Sequence, residues 1–182
     1  MQEPFVVLAM DETDIKLFPH LRSGLAKKGK DALVPISGKN KKLVVYGAIN
    51  IKTGHRIWLV RENVSIENFK LFLDTVRFHY RKFNILLILD ENSAHTSPSS
   101  LEHARRRNIK LAWLPLRSPK LNPVDQLWKT GRNDISADLQ YETIDEHVFR
   151  FIHYLDGLSN KQAMKKAGLL SKDFWLHQSK LH

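Results

Sequence analysis

Ile85-Leu-Leu-Ile-Leu89 is an unbroken apolar run of strand length that ends on a carboxylate, Asp90. A strand with no polar face has to be covered on both sides, so this segment commits the chain to a sheet held between layers of helix. Phe5-Val-Val-Leu-Ala-Met10 is a second such run, and it too is closed by an aspartate, Asp11. The polar stretch that follows, Glu12 to Lys42, carries Pro19, Gly24, Gly29, Pro35 and Gly38 and reads mainly as loop or insertion.

Leu43-Val-Val-Tyr-Gly-Ala-Ile49 and Arg56-Ile-Trp-Leu-Val60 flank a turn marked by Gly54 and predict a β-hairpin. Ser65 predicts a cap, and Ile66, Phe69, Leu73, Val76 and Tyr80 recur at helical spacing, giving a helix with one apolar stripe that ends near Phe83. After the Ile85 to Leu89 strand, Pro98 to Asn108 reads as a short helix and Lys110 to Leu114 as a strand. Asn122 then caps a helix that opens on Pro123. Thr143-Ile-Asp-Glu146 has the spacing of a capping box ahead of Ile144, Val148, Ile152 and Leu155, and Lys161 to Leu169 reads as a further short helix. Phe174-Trp175 has two readings, a cover for this chain's own core or a contact with a partner chain. Trp58 and Trp113 are expected in the core, and Trp128, after the first turn of the helix that carries Asp125, is expected to pack under the site.

This order predicts an α/β chain with a mixed five-stranded sheet, three antiparallel strands followed by crossover-linked ones, flanked by helices on both faces. It is the order of the ribonuclease H fold. A single domain is expected over residues 1–182, with a core over about 5–137 and a helical extension over about 141–182.

The net charge of +10 favours a polyanionic partner through counterion release. Charge alone does not separate DNA from RNA or an anionic membrane surface. No apolar run approaches the roughly 20 residues of a spanning helix, and the N-terminus lacks a signal-peptide pattern, so membrane insertion and secretion are not expected. The absence of cysteine removes disulfides, thiolate nucleophiles and Cys-type zinc sites, leaving carboxylates and histidines to bind metal. A reducing cytoplasm fits. The histidines outside His95 show no zinc-ligand spacing, and the basic groups Lys27-Lys28-Gly-Lys30, Lys39 to Lys42 and Arg105 to Arg107 read together as a phosphate-tracking surface.

Crossovers carry strand ends to a common edge, so Asp11 and Asp90 are expected on neighbouring strands, with the helix after Pro123 bringing Asp125 against them. Taken singly, each aspartate has a structural reading: Asp125 sits near the positive end of a helix dipole, and Asp11 and Asp90 suit strand-end turns. The coincidence of three, in this element order, favours a site for hard divalent cations such as Mg²⁺, which take oxygen ligands. Two such ions activate a water or a 3′-hydroxyl for in-line displacement at phosphorus. Glu12 is expected to face away from Asp11 by strand alternation.

Asp11-Glu12 after a strand, Leu89-Asp-Glu-Asn-Ser-Ala-His95, and Leu114-Pro-Leu-Arg-Ser-Pro-Lys-Leu-Asn-Pro-Val-Asp-Gln-Leu-Trp128, with 34 residues between Asp90 and Asp125, together resemble the catalytic domain of DDE/D transposases of the mariner and bacterial insertion-sequence branch. The resemblance spans roughly Phe5 to Trp128. It implies metal-dependent DNA strand cleavage and strand transfer, with Asp11, Asp90 and Asp125 binding two ions of Mg²⁺ or Mn²⁺. Glu12, Asn92 and His95 are the candidate auxiliary residues. Lys39, Lys41, Lys42, Arg105, Arg106, Arg107, Arg117 and Lys120 are the candidate DNA contacts. Transposon-end and target DNA are the implied partners, with a homodimer on paired ends, acting at the nucleoid in a prokaryotic cytoplasm.

The chain departs from the family pattern in two places. Asp125 stands where bacterial members often carry Glu, and Glu91 stands between Asp90 and Asn92. The first strand run opens at Phe5, which leaves no room for the helix-turn-helix units such transposases carry, so the expectation is an excised domain, a decayed copy, or one frame of a split gene with a separate helix-turn-helix part. A catalytically silent DNA-binding or assembly relic is the alternative from another class. A ribonuclease or resolvase on the same fold is disfavoured by the Ser-Pro-x-Leu-Asn-Pro block.

Overall fold

The computed structural model describes residues 4–17, 41–115, 118–137, 139 and 141–178. Its strands are β1 (Phe5–Lys16), β2 (Lys42–Asn50), β3 (Arg56–Arg61), β4 (Asn84–Leu89) and β5 (Ile109–Trp113). Its helices are α1 (Ile66–His79), α2 (Ser93–Thr96), α3 (Pro98–Arg106), α4 (Pro123–Gly131), α5 (Ile144–Gly157), α6 (Asn160–Lys166) and α7 (Trp175–Gln178). The sheet order is β3-β2-β1-β4-β5. β1 pairs antiparallel with β2 and parallel with β4, β2 pairs antiparallel with β3, and β4 pairs parallel with β5. This is the expected mixed sheet.

Strand alternation divides the core in two. Val6, Leu8 and Met10 of β1 face Phe69, Phe72, Leu73 and Val76 of α1, with Ala104 of α3 beside them. Ala9 and Ile15 face the other way, onto Val124, Leu127 and Trp128 of α4 and Val148, Phe151 and Leu155 of α5. A sheet so covered explains the unbroken apolar runs.

Several expectations are corrected. β1 does not end at Met10 but continues to Lys16, so Asp11 lies inside the strand and Glu12 to Lys16 are not loop. The extension holds because Thr13 and Ile15 turn inward while Asp14 and Lys16 turn outward, and β2 supplies partners as far as Lys42. Residues 18–40 of the expected loop, with Lys27, Lys28, Lys30 and Lys39, fall outside the described residues, as does Arg117, and Lys42 opens β2. α1 stops at His79, and Tyr80 closes it by donating its N–H to Val76. Trp113 is not core: at the end of edge strand β5 it is 37% exposed. At α5 only half of the expected capping box forms. Thr143 accepts from the Glu146 N–H, whereas the Glu146 carboxylate pairs with Arg150. The full box occurs instead at α6, between Ser159 and Gln162. Phe174 is buried in this chain's own core, and Trp175 donates its indole N–H to the Leu121 carbonyl.

Candidate active site

The register of β1 against β4 sets two of the three aspartates side by side. Ala9 pairs with Ile88, so Asp11 and Asp90 each stand two residues further along adjacent parallel strands. Asp90 directly follows the last residue of β4, at the carboxyl edge of the sheet. Open α/β sheets place their ligand sites at that edge.

The third aspartate arrives with α4. Asn122 caps this helix through its side-chain oxygen, which accepts from the Val124 N–H at 3.1 Å. Its side-chain amide donates to the Met10 carbonyl at 2.8 Å, so the cap of α4 is bonded to the residue before Asp11. Trp128, buried at 1% exposure, stands three residues after Asp125 on the same helix and packs onto the sheet. It lies against Gly47, which pairs with Asp11 across β1 and β2. A Cβ at Gly47 would fall 2.5 Å from the Trp128 ring, so α4 comes this close only because position 47 is glycine.

The electrostatics show that the three carboxylates share one neighbourhood. Burial, followed by the charges of Glu12, Asp125 and Asp90, pushes the Asp11 carboxyl up to about 8 from its ordinary 3.8. Asp125 is drawn toward cations of its own helix and the turn after it. Lys129 Nζ lies 2.8 Å from Asp125 Oδ2, an ion pair by distance that lacks hydrogen-bond geometry, so this buried oxygen has no hydrogen-bond donor. Arg132 Nη2 lies 3.8 Å from Asp125 Oδ1 while Nη1 donates to Thr13 at 2.6 Å. Arg132 opens a π-helical turn, Arg132–Ser136, that continues α4. Lys129 and Arg132 were missed from sequence, although the i,i+4 spacing of Lys129 after Asp125 is the signal for such a pair.

Asp90 is held differently. His95, fully buried on α2, brings Nδ1 within 3.0 Å of Asp90 Oδ1, and its Nε2 lies 2.7 Å from Glu12 Oε1. Burial alone would lower the imidazole, but hydrogen bonds to Asp90 and Glu12 raise it to about 10, so both ring nitrogens carry protons and donate. The same contact holds the Asp90 carboxyl below the usual range. Glu12 therefore faces away from Asp11, as alternation requires, and spends its carboxylate on His95. Asn92 is turned to capping: its side chain accepts from the Ala94 N–H, and its own N–H donates to Asp90.

Among the described residues, no three histidine, aspartate or glutamate side chains are gathered tightly enough to hold a metal ion as they stand. Asp125 is paired with Lys129 and Asp90 with His95. The donor set nonetheless suits a hard divalent cation. It offers carboxylate oxygens from three elements and one carboxyl whose charge is opposed by its surroundings.

The candidate DNA contacts divide by position. Lys41, Lys42 and Lys120 lie at or beyond the carboxylate edge, Lys42 opening β2 with Lys41 just before it and Lys120 in the turn before α4. Arg105 to Arg107 lie where α3 returns to the start of β5, at the opposite edge, roughly 17 Å away along a six-residue strand. They are also paired already: Arg105 and Arg106 hold Glu102 at 2.8 Å, and Arg107 holds Asp74 at 2.6 Å.

Residues 6–147 match the protein family described as DDE superfamily endonuclease. The insertion element IS630 uncharacterized 39 kDa protein of Shigella sonnei is 24% identical over 151 residues, covering 82% of this chain and 44% of that protein. Among solved structures, the mariner Mos1 paired-end complex with Mg is similar with a TM-score of 0.72 at 14% identity, over 90% of this chain and 52% of that one. The catalytic domain of Mos1 mariner transposase is similar with a TM-score of 0.62 at 13% identity, over 90% and 76%. The chain thus spans about half the length of the curated relative and of the complexed transposase. At such identities the structural likeness establishes the fold, which is RNase H-like.

Proposed function

The chain belongs to the DDE superfamily endonucleases, and from that membership we propose that it is a transposase catalytic domain that cuts DNA strands and joins them in a metal-dependent reaction. The observation that carries this reading is the convergence of three aspartates: the β1–β4 register sets Asp11 and Asp90 at adjacent strand positions, the Asn122–Met10 bond seats α4 with Asp125 beside them, and their charges act on the Asp11 carboxyl. A fold stabilised only by its own contacts gains nothing from placing like charges together, whereas a cation site requires it.

In this reading Asp11, Asp90 and Asp125 hold Mg²⁺ or Mn²⁺, consistent with the neighbouring structures of a Mos1 complex with Mg and another with Mn. When bound, a pair of such ions activates a water or a DNA 3′-hydroxyl and stabilises the leaving oxygen at phosphorus. The chain's own residues set the stage. Asn122 fixes α4 to β1, so that Asp125 keeps its place relative to Asp11. Lys129 and Arg132 balance the Asp125 charge. Lys41, Lys42 and Lys120 line the approach for the DNA backbone, and Arg105 to Arg107 would meet phosphates further along the duplex. Lys39 and Arg117 complete the proposed basic set. A homodimer on paired ends and an accompanying helix-turn-helix part, in a prokaryotic cytoplasm, belong to the same proposal. Among the described residues, no helix is long and apolar enough to cross a membrane.

The test is Asp90→Asn in a complete transposase carrying this domain, assayed for nicking of transposon-end DNA with Mg²⁺. Loss of cleavage with the circular dichroism spectrum unchanged is expected. Undiminished cleavage would remove the assignment.

A further inference from the structure

Outside the three aspartates, the most directed polar group near the site is the His95 ring, which is fully buried and stacked at a centroid distance of 4.4 Å on Phe69. Its two nitrogens reach two different acids from two different strands. Nε2 meets Glu12 Oε1 at 2.7 Å, while Nδ1 meets Asp90 twice, at the Oδ1 carboxylate oxygen at 3.0 Å and the main-chain carbonyl at 3.1 Å. The Glu12 side chain is 10% exposed, so its charge is held by this ring and not by water. The Asp90 side chain is 58% exposed, so one face of its carboxylate is held from behind while the rest opens to solvent.

We propose that His95 is a positioning residue for the metal site: it grips Asp90 through Oδ1 and the carbonyl, leaving Oδ2 to bind the cation, and it engages Glu12 so that this acid is kept out of the ligand set. The inference rests on the reading of Asp90 as a ligand. The physical reason is general. A carboxylate on a free rotor must be ordered when it binds metal, and a buried hydrogen bond removes that cost beforehand. The Phe69 ring beneath the imidazole and the short helix α2 restrict the other degrees of freedom.

The experiment is Mn²⁺ binding by the chain, followed by isothermal titration calorimetry, with folding checked by circular dichroism. His95→Ala is expected to weaken Mn²⁺ affinity by about 10- to 100-fold. His95→Asn keeps a nitrogen near the place of Nδ1 and is expected to restore most of the affinity. His95→Gln reaches toward Glu12 instead and is expected to restore little. Glu12→Gln should leave affinity within about threefold of the unaltered chain, well below the effect of losing a partner of a ligand. A merely structural histidine would shift the melting temperature and leave the Asn and Gln variants alike in Mn²⁺ affinity, and that result overturns the inference. Should the variants fail to fold, the unaltered chain still decides. The buried His95 Nδ1–H resonance is expected to move when Mg²⁺ is added, and a resonance that stays in place as Mg²⁺ saturates overturns the assignment. Asp90→Asn separates the two levels. Lost binding there with unchanged binding in His95→Ala overturns the role of His95 alone, while an unaltered chain that binds no Mn²⁺ overturns the metal site and this inference together.

Discussion

Asn122 donates its side-chain amide to the main-chain carbonyl of Met10 across 2.8 Å, joining the cap of one helix to the strand residue that precedes Asp11. Both groups are buried, so the bond is protected from competition with water. It makes one residue responsible both for starting α4 and for seating it. Asn122→Ser keeps a capping oxygen but is too short to reach Met10. Urea denaturation should show a loss of about 1–2 kcal/mol, the usual effect of stranding a buried carbonyl. Asn122→Ala, which removes the cap as well, should cost about 1 kcal/mol more. Equal stability of the Ser variant and the unaltered chain would mean that the Met10 bond contributes nothing.

Asp11→Asn should separate binding from stability. The folded carboxyl is raised to about 8 from 3.8, so the folded state holds its proton more tightly than the unfolded state does. The stability from that proton is fully present below 3.8 and is lost as pH rises toward about 8. In EDTA, thermal melts of Asp11→Asn should therefore gain on the unaltered chain across this window and level off above it. With Mn²⁺ present the order should reverse at alkaline pH, because only the aspartate offers a charged ligand. Parallel pH profiles for the two proteins in EDTA would contradict the assignment.

His147 carries a dependence of the opposite sign. Burial lowers its imidazole, against the opposing effect of the Lys16 carbonyl. The neutral ring fits both neighbours: Nδ1–H donates to Lys16 at 3.0 Å, and Nε2 accepts from the Ser136 hydroxyl at 2.7 Å. The unfolded chain takes up the proton first, so stability present above the ordinary 6.5 should fall as pH drops below it. His55 is also lowered by burial and adds in the same direction. Comparing urea midpoints of His147→Gln and the unaltered chain from neutral to mildly acid pH isolates the His147 share. The variant should show the shallower decline.

DNA binding should weaken steeply with salt, in proportion to the phosphates neutralised. The two basic groups should differ in what length of DNA they need. Lys120→Ala should lower the salt slope by about 1 on a short duplex around the cut site. Arg106→Ala should change it only on longer duplexes, since it sits at the opposite edge of the sheet. Fluorescence anisotropy on a series of duplex lengths measures both. The same response from both variants at every length would remove the distinction.

The sheet was legible because its signals are local. Ile85 to Leu89 could only be a covered strand, and Gly54, with φ of +74°, could only be the hairpin turn. Asp11 and Asp90 became neighbours through element order alone. What escaped was held by partners distant in sequence. β1 runs on to Lys16 because β2 pairs with it there, and the short alternation of Thr13 and Ile15 with Asp14 and Lys16 was too brief to stand out from the polar stretch around it. Trp113 looked like core because its run is apolar, yet β5 is an edge strand and leaves the ring partly in solvent. Glu12 was rightly turned away from Asp11, but its bond to His95 spans 83 positions and has no sequence spacing to betray it. Asn122 read correctly as a cap, and its second bond, 112 positions back, did not show at all.

That long reach has a consequence for the newborn chain. Synthesis delivers Met10 and Asp11 early, but the amide that fastens α4 beside them comes 112 residues later. Until that helix has left the ribosome, the emerging polypeptide can set Asp11 and then Asp90 on neighbouring strands but has neither Asp125 nor the cap that seats it beside them. The last of the three acids takes its place only once the whole sheet exists to receive it.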